Sequence, residues 1–175
     1  PELTRENDLF RMNAGPIAST LDNTREPFLT VSPETPARNM YPTGTTRETM
    51  DAFLAAHPER RATLLDDRTI VVEATPENRA HALMVLDHHP ALDTLHPGLR
   101  ARLQSEETYL ALPYSVAYAH DFFFIVDRLN AAADAVESGD AAFARYLRLR
   151  ARDLLADDYE GGDAAWVTGD FTGNL

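Results

Sequence analysis

Four histidines, His81, His88, His89 and His96, lie close together in the chain. Imidazole binds transition metals and carries protons near neutral pH, so the cluster invites a metal reading. On one helix His81 and His88 would share a face two turns apart, and Asp87 or Asp93 could add a carboxylate. The spacing matches no established ligand pattern, and His-Glu-x-x-His is absent. Solvated or helix-terminal histidines are the simpler reading, with a small metal-dependent enzyme as the competing one. A second group is acidic: Asp157, Asp158, Glu160 and Asp163. Neighbouring carboxylates can bind calcium or share acid–base work. These lack the alternating ligands of a calcium loop. A capped turn between two helices, with carboxylates at the second N-terminus, accounts for them more simply. Ser115 follows Pro113-Tyr114 and sits in no Gly-x-Ser-x-Gly elbow, so it is not expected to act as a nucleophile. No Gly-rich phosphate loop occurs. Trp166 is the only tryptophan and reads as a core or interface anchor. The sequence therefore assigns no catalytic residue and no metal ligand within the chain.

The elements that must position these residues centre on Leu110 to Trp166. Pro113 ends the strand-like run Tyr109-Leu110-Ala111-Leu112, and Ser115 can start a helix. Val116, Ala119, Phe122, Phe123, Val126, Leu129, Ala133 and Val136 recur at helical spacing, which predicts one long helix from Ser115. Phe122 to Val126 is apolar almost all round. It predicts neighbours on more than one side, with strand as the competing reading. Gly139 suits a left-handed helix end and Asp140 an N-cap. A second helix follows, with Phe143, Tyr146, Leu147, Ala151, Leu154 and Leu155 on one stripe. The short link predicts an antiparallel hairpin.

Upstream, Glu2 to Asn13 has a weak helical pattern. Gly15 to Gly44 is rich in Pro, Thr and Asn with scattered large apolar residues, which predicts an ordered loop. Thr45 and Glu48 stand at capping-box spacing before a helix through Met50, Phe53 and Leu54. Thr69 to Ala74 is the clearest strand. Thr75-Pro76 opens a helix with Leu83, Val85 and Leu86 on its apolar face, closed by Pro90. A short helix over Pro97 to Gln104 and a strand over Glu107 to Leu112 complete the middle. Three segments result, 1–44, 45–112 and 113–166, as one lobe or fragment. The fold class is a mainly helical α+β lobe with a long antiparallel helical hairpin and two or three short strands.

Composition bounds the function. With 175 residues and 44% hydrophobic content the chain suits one globular domain or one lobe of a larger protein. Cysteine is absent, which rules out disulfides, thiolate metal sites and a cysteine nucleophile. No apolar run approaches the roughly 20 residues of a membrane span. The expected location is cytoplasmic. Net charge is −12, and all 16 basic residues are arginine. This disfavours nucleic acid as a partner. Arg145, Arg148, Arg150 and Arg152 form the best basic patch, but nearby Asp153, Asp157 and Asp158 mark it as an ion-paired helix face. The chain starts at Pro1 without Met and stops at Leu175 without a helix cap or polar tail, which reads as truncation.

Several short motifs point one way. Leu9-Phe10-Arg11-Met12-Asn13-Ala14-Gly15-Pro16, then Leu21-Asp22-Asn23 and Glu26-Pro27-Phe28, resemble the N-terminal region of bacterial dipeptidyl peptidase III-like proteins. Asn39-Met40-Tyr41-Pro42, Thr46-Arg47-Glu48 and Phe53-Leu54-Ala55-Ala56-His57-Pro58-Glu59 are similar to its next part. Leu112-Pro113-Tyr114-Ser115, Ala117-Tyr118, Leu149-Arg150-Ala151-Arg152, Asp157-Asp158-Tyr159 and Asp163-Ala164-Ala165-Trp166 follow in the same order. Residues 60–106 match poorly. The resemblance implies the first part of the non-zinc lobe of a two-lobed zinc metallopeptidase that releases dipeptides from peptide N-termini. In such enzymes the zinc ligands come from a His-Glu helix and a second glutamate-bearing helix, and metal-bound water attacks the peptide carbonyl. This chain has no His-Glu pair, so zinc and its lobe would lie outside it. Of the family's cleft residues only a tryptophan carries over, onto Trp166, where an indole could pack against a bound peptide. The expectation is a peptide-binding part that is inactive alone. The alternative is a free-standing helical interaction module, docking a partner through Phe122–Val126 or the Trp166 tail.

Overall fold

The computed structural model describes residues 2–13, 17–19, 25–27 and 40–173. They fall in two compact units, 1–38 and 39–175. In the first, α1 (Glu2–Asn13) takes up the expected N-terminal helix, and β1 (Ile17–Ser19) pairs antiparallel with β2 (Arg25–Pro27), Ala18 opposite Glu26. These two strands fall inside the stretch expected to be loop. The remainder of that stretch up to Asn39 lies outside the described residues.

In the second unit, α2 (Arg47–Ala56) is capped by Thr46 rather than by Thr45. The Thr46 hydroxyl accepts from the Thr49 N–H (3.2 Å), and the Thr49 hydroxyl accepts from the Thr46 N–H (2.9 Å). A threonine at the third helical position thus does what Glu48 was expected to do. A 3-10 turn (Pro58–Arg60) and α3 (Arg61–Leu64) lead to β3 (Thr69–Glu73). The helix α4 (Pro76–His88) starts on the Thr75 cap with proline in its first turn. Pro90 closes α4 as expected, but it also opens α5 (Pro90–Leu95), because proline needs no N–H partner at a first helical position. Next come α6 (Leu99–Ser105) and β4 (Tyr109–Pro113).

The strands β3 and β4 pair antiparallel, with Val71 opposite Ala111. Their alternation divides the core. Leu110 and Leu112 join Ala82, Leu86, Leu92, Leu99 and Leu103 on one face. Val71 and Ala111 pack with Met50, Leu54 and Leu64 on the other. The two-stranded sheet is therefore a middle layer covered on both sides, which is why both strands read as nearly continuous apolar runs. One border of the sheet is held by a buried ion pair. Arg60 Nη2 donates to the Tyr109 carbonyl (2.9 Å) and lies 2.9 Å from Glu106 Oε2. The Glu106 carboxylate accepts the Ala111 N–H.

The long helix expected from Ser115 is two helices. The first, α7 (Tyr114–Ala117), is separated by Tyr118 (φ −118°, ψ 30°) from α8 (Ala119–Val136). The break follows from two different anchors. Ser115 and Val116 are held in the sheet-side core, while α8 runs along α9 (Ala141–Ala156). The predicted hairpin is present. Ala119, Val126 and Ala133 are buried at seven-residue spacing on α8, and Ala144, Leu147 and Ala151 on α9. Small residues along this seam let the backbones approach closely. Asp140 caps α9 by accepting the Phe143 N–H (2.9 Å). Gly139 is not left-handed as expected; both the Gly139 and Asp140 N–H groups reach back to the Val136 carbonyl (3.0 and 2.8 Å). The strand reading of Phe122–Val126 does not hold; the segment has neighbours on more than one side, with Phe123 packed against the sheet-side cluster and Val126 buried, but not all round. Phe124 and Ile125 stay 58% and 40% exposed, and Arg128 lies over the Phe124 ring. Finally α10 (Glu160–Thr168) packs on α9. No described helix is long and apolar enough to cross a membrane.

Candidate functional site

The four histidines separate. His81 is exposed on α4, and His88 Nδ1 lies 2.9 Å from the Met84 carbonyl. His89 stacks on Phe123 at 3.9 Å, and His96 turns inward from the end of α5. Asp87 and Asp93, the proposed carboxylate partners, both hold Arg100 instead (2.8 and 2.6 Å). Among the described residues no group of three His, Cys, Asp or Glu side chains comes close enough to hold a metal ion.

One convergence was not visible in the sequence. His96 Nε2 lies 2.8 Å from Ser115 Oγ and 2.9 Å from the Leu155 carbonyl. The Ser115 N–H donates to Asp157 Oδ2 at 3.0 Å, and its hydroxyl also bonds that carboxylate. Arg68 Nη1 donates to the Asp157 carbonyl at 2.9 Å. Serine, histidine and aspartate from three separated elements thus meet, but not as a nucleophilic relay. A carbonyl can only accept, so His96 Nε2 carries the proton and cannot take one from Ser115. The carboxylate lies 3.7 Å from that same nitrogen rather than beyond Nδ1. Ser115 is 0% exposed. The trio locks the ends of α5, α7 and α9 together. Asp157 is the one non-glycine residue with positive φ (51°) among those described, which turns its carboxylate back under α9. Burial pushes that carboxyl above the usual aspartate range, against the hydrogen bonds from Ser115 and the charges of His96 and Arg68.

The remaining acids form the turn between α9 and α10, as the simpler reading expected. Asp158 Oδ1 accepts the Glu160 N–H (3.3 Å), and Asp163 pairs with Arg150. Asp153, expected only as an ion-pair partner of the basic face, is 1% exposed; it lies 3.6 Å from Arg150 and also accepts the Gly162 N–H at 2.9 Å. Any side chain at Gly162 would strike it, since a Cβ there would sit 2.2 Å from Asp153 Oδ2. On the basic face, Arg148 holds Asp134 and Glu137 (2.7 and 2.8 Å) and Arg150 lies over the Tyr146 ring. Arg145 and Arg152 are exposed.

Trp166 is on α10 and 47% exposed. Its ring packs 5.2 Å from Tyr146 and 5.5 Å from Phe171, within an aromatic group that also includes Phe143. One side of the indole is thus held by its neighbours while a large part of it faces outward.

Comparison with protein families gives no match, and neither does comparison with curated proteins. Among solved structures the chain is similar to DPP III from Caldithrix abyssi, with a TM-score of 0.66 and 24% identity. The match covers 99% of this chain and 26% of that one, so the chain spans about a quarter of the length of the protein it matches.

Proposed function

We propose that this chain is the N-terminal, non-zinc-lobe part of a dipeptidyl peptidase III-like zinc metallopeptidase, and that it shapes one wall of a peptide groove. The observation that carries the reading is the agreement of two independent lines. The ordered motifs resemble that family, and nearly the whole fold superposes on a quarter of a DPP III. In this reading zinc and its ligands lie in sequence outside the chain, because the histidines here point apart and no three metal-ligating side chains converge among the described residues. Trp166 is the residue we assign to substrate contact. Its half-exposed indole, stiffened by Tyr146 and Phe171, offers a flat apolar surface at little entropic cost.

The test is an aminopeptidase assay with zinc, on the chain alone and on the chain continued by its downstream sequence. The chain alone is expected to be silent and the completed protein to release dipeptides. In the completed protein Trp166→Ala should lower kcat/KM roughly tenfold through KM, the size of one lost aromatic contact of about 1.5 kcal/mol. Hydrolysis by the chain alone, or one zinc per isolated chain, would overturn the reading. Silence in both forms would favour the interaction module, docking through the exposed Phe124 and Ile125 or through the Trp166 tail.

A further inference from the structure

The carboxylate that starts α9 also reaches the far end of α10. Asp140 Oδ1 accepts the Phe143 N–H and so caps α9. Its other oxygen serves the segment after α10: Oδ2 accepts the Thr172 N–H at 2.6 Å and the Gly173 N–H at 3.1 Å. The Thr172 hydroxyl donates to the Gly139 carbonyl at 3.1 Å. The Phe143 N–H, with those of Thr172 and Gly173, holds the Asp140 carboxyl below the ordinary aspartate range, so both oxygens accept at neutral pH. These bonds bring residues 169–173 back to the tip of the hairpin. The return is tight, because a Cβ at Gly169 would run into the Phe171 ring and lie 2.7 Å from the Ala165 carbonyl. What the return places is Phe171. Its ring lies 5.5 Å from Trp166, 5.9 Å from Tyr146 and 5.7 Å from Phe143, so it meets every other member of the aromatic group. The buried cluster of the hairpin takes in Phe143 and Tyr146 but neither Phe171 nor Trp166. Ordering the return therefore adds little to that core. It fixes one side of a half-exposed indole.

We propose that Asp140 is the positioning residue of the Trp166 surface and acts through Phe171. The inference rests on the peptidase reading, in which Trp166 contacts the peptide. A carboxylate suits the task because it has two accepting oxygens. One caps a helix while the other gathers two backbone N–H groups. Serine would cap α9 too, but its single oxygen leaves the return without an acceptor. Holding the indole still before a peptide arrives matters, because side-chain freedom already given up is not lost on binding.

Trp166 is the only tryptophan, so its fluorescence reports this surface without background. In the intact chain Asp140→Ser should raise acrylamide quenching of Trp166 roughly twofold through local loosening. Circular dichroism and the melting temperature should stay near those of the parent, since the cap is kept. Phe171→Leu should change quenching alike, and the double variant no further than either alone, as expected of two residues acting in series. Asp134→Asn, which removes a charge from α8, should change nothing. In the chain continued by its downstream sequence, Asp140→Ser should raise KM roughly threefold to tenfold with kcat unchanged, and should add nothing once Trp166 is alanine. Unchanged quenching in Asp140→Ser, additive effects with Phe171→Leu, or an unmoved KM in an active completed protein would each overturn the positioning role alone. A completed parent protein that releases no dipeptides would overturn the peptidase reading and this role with it.

Discussion

At the scale of single residues, Asp157 does two opposing things. Its Oδ2 satisfies the Ser115 N–H, while its charge is buried with an unpartnered oxygen. Removing the acceptor and removing the charge should therefore differ. Asp157→Ala leaves a buried N–H without a partner and should cost about 1–3 kcal/mol in urea denaturation at neutral pH. Asp157→Asn keeps an acceptor and should cost less. The pH dependence has a definite sign. Folding raises this carboxyl above its ordinary value, so the folded chain binds the proton more tightly than the unfolded one. Stability then falls as pH rises from the ordinary aspartate range through the raised value. Glu106 and Asp153 are shifted the same way by burial, so Asp157→Asn should flatten this decline without removing it. A decline as steep in Asp157→Asn as in the parent chain would refute the account. None of this was readable from sequence. Ser115 lies 19 residues from His96 and 42 from Asp157, and only the fold brings them into contact.

At the scale of elements, the hairpin seam makes a prediction of its own. Ala133 is 0% exposed and packs in a group with Ala144 and Leu147. Three extra heavy atoms have no room there, so Ala133→Leu should lose about 1–3 kcal/mol through overpacking. Ala132→Leu, one residue away on the exposed face, should stay within about 0.5 kcal/mol. Thermal denaturation of the pair checks the seam, and equal losses would contradict it. The hairpin and both strands of the central sheet were legible because each carries a strong apolar period. The elements whose bounds were not legible in sequence lack one. In α10, Gly161, Gly162, Ala164 and Ala165 give no large apolar stripe, and α5 hid behind a proline that ends one helix and begins another. The pause at Tyr118 was masked because apolar spacing continues straight through it. Packing against two different partners decides it, and periodicity carries no record of that.

At the scale of the whole molecule, the three buried apolar clusters among the described residues all lie in residues 39–175. That part has a core on each side of its sheet and a third along the hairpin, so the expected silence of the isolated chain does not stem from lack of structure. The convergent Ser115, His96 and Asp157 lock helix ends together instead of forming a relay. The candidate substrate contact was legible only through resemblance, since a lone tryptophan has no period or spacing to mark it. The aromatic company it keeps, Tyr146 and Phe171, is contributed by positions 20 residues before and five after, roughly the reach of one helix turn-back.

The Arg60–Glu106 pair has a consequence for how copies of this chain behave in company. Side chains here occupy the carbonyl of Tyr109 and the N–H of Ala111, the groups a neighbouring strand would otherwise seek. Loss of either partner would bare that border, and a short apolar ribbon of Leu110-Ala111-Leu112 would become a template for edge-to-edge sticking and, at high concentration, for fibrils.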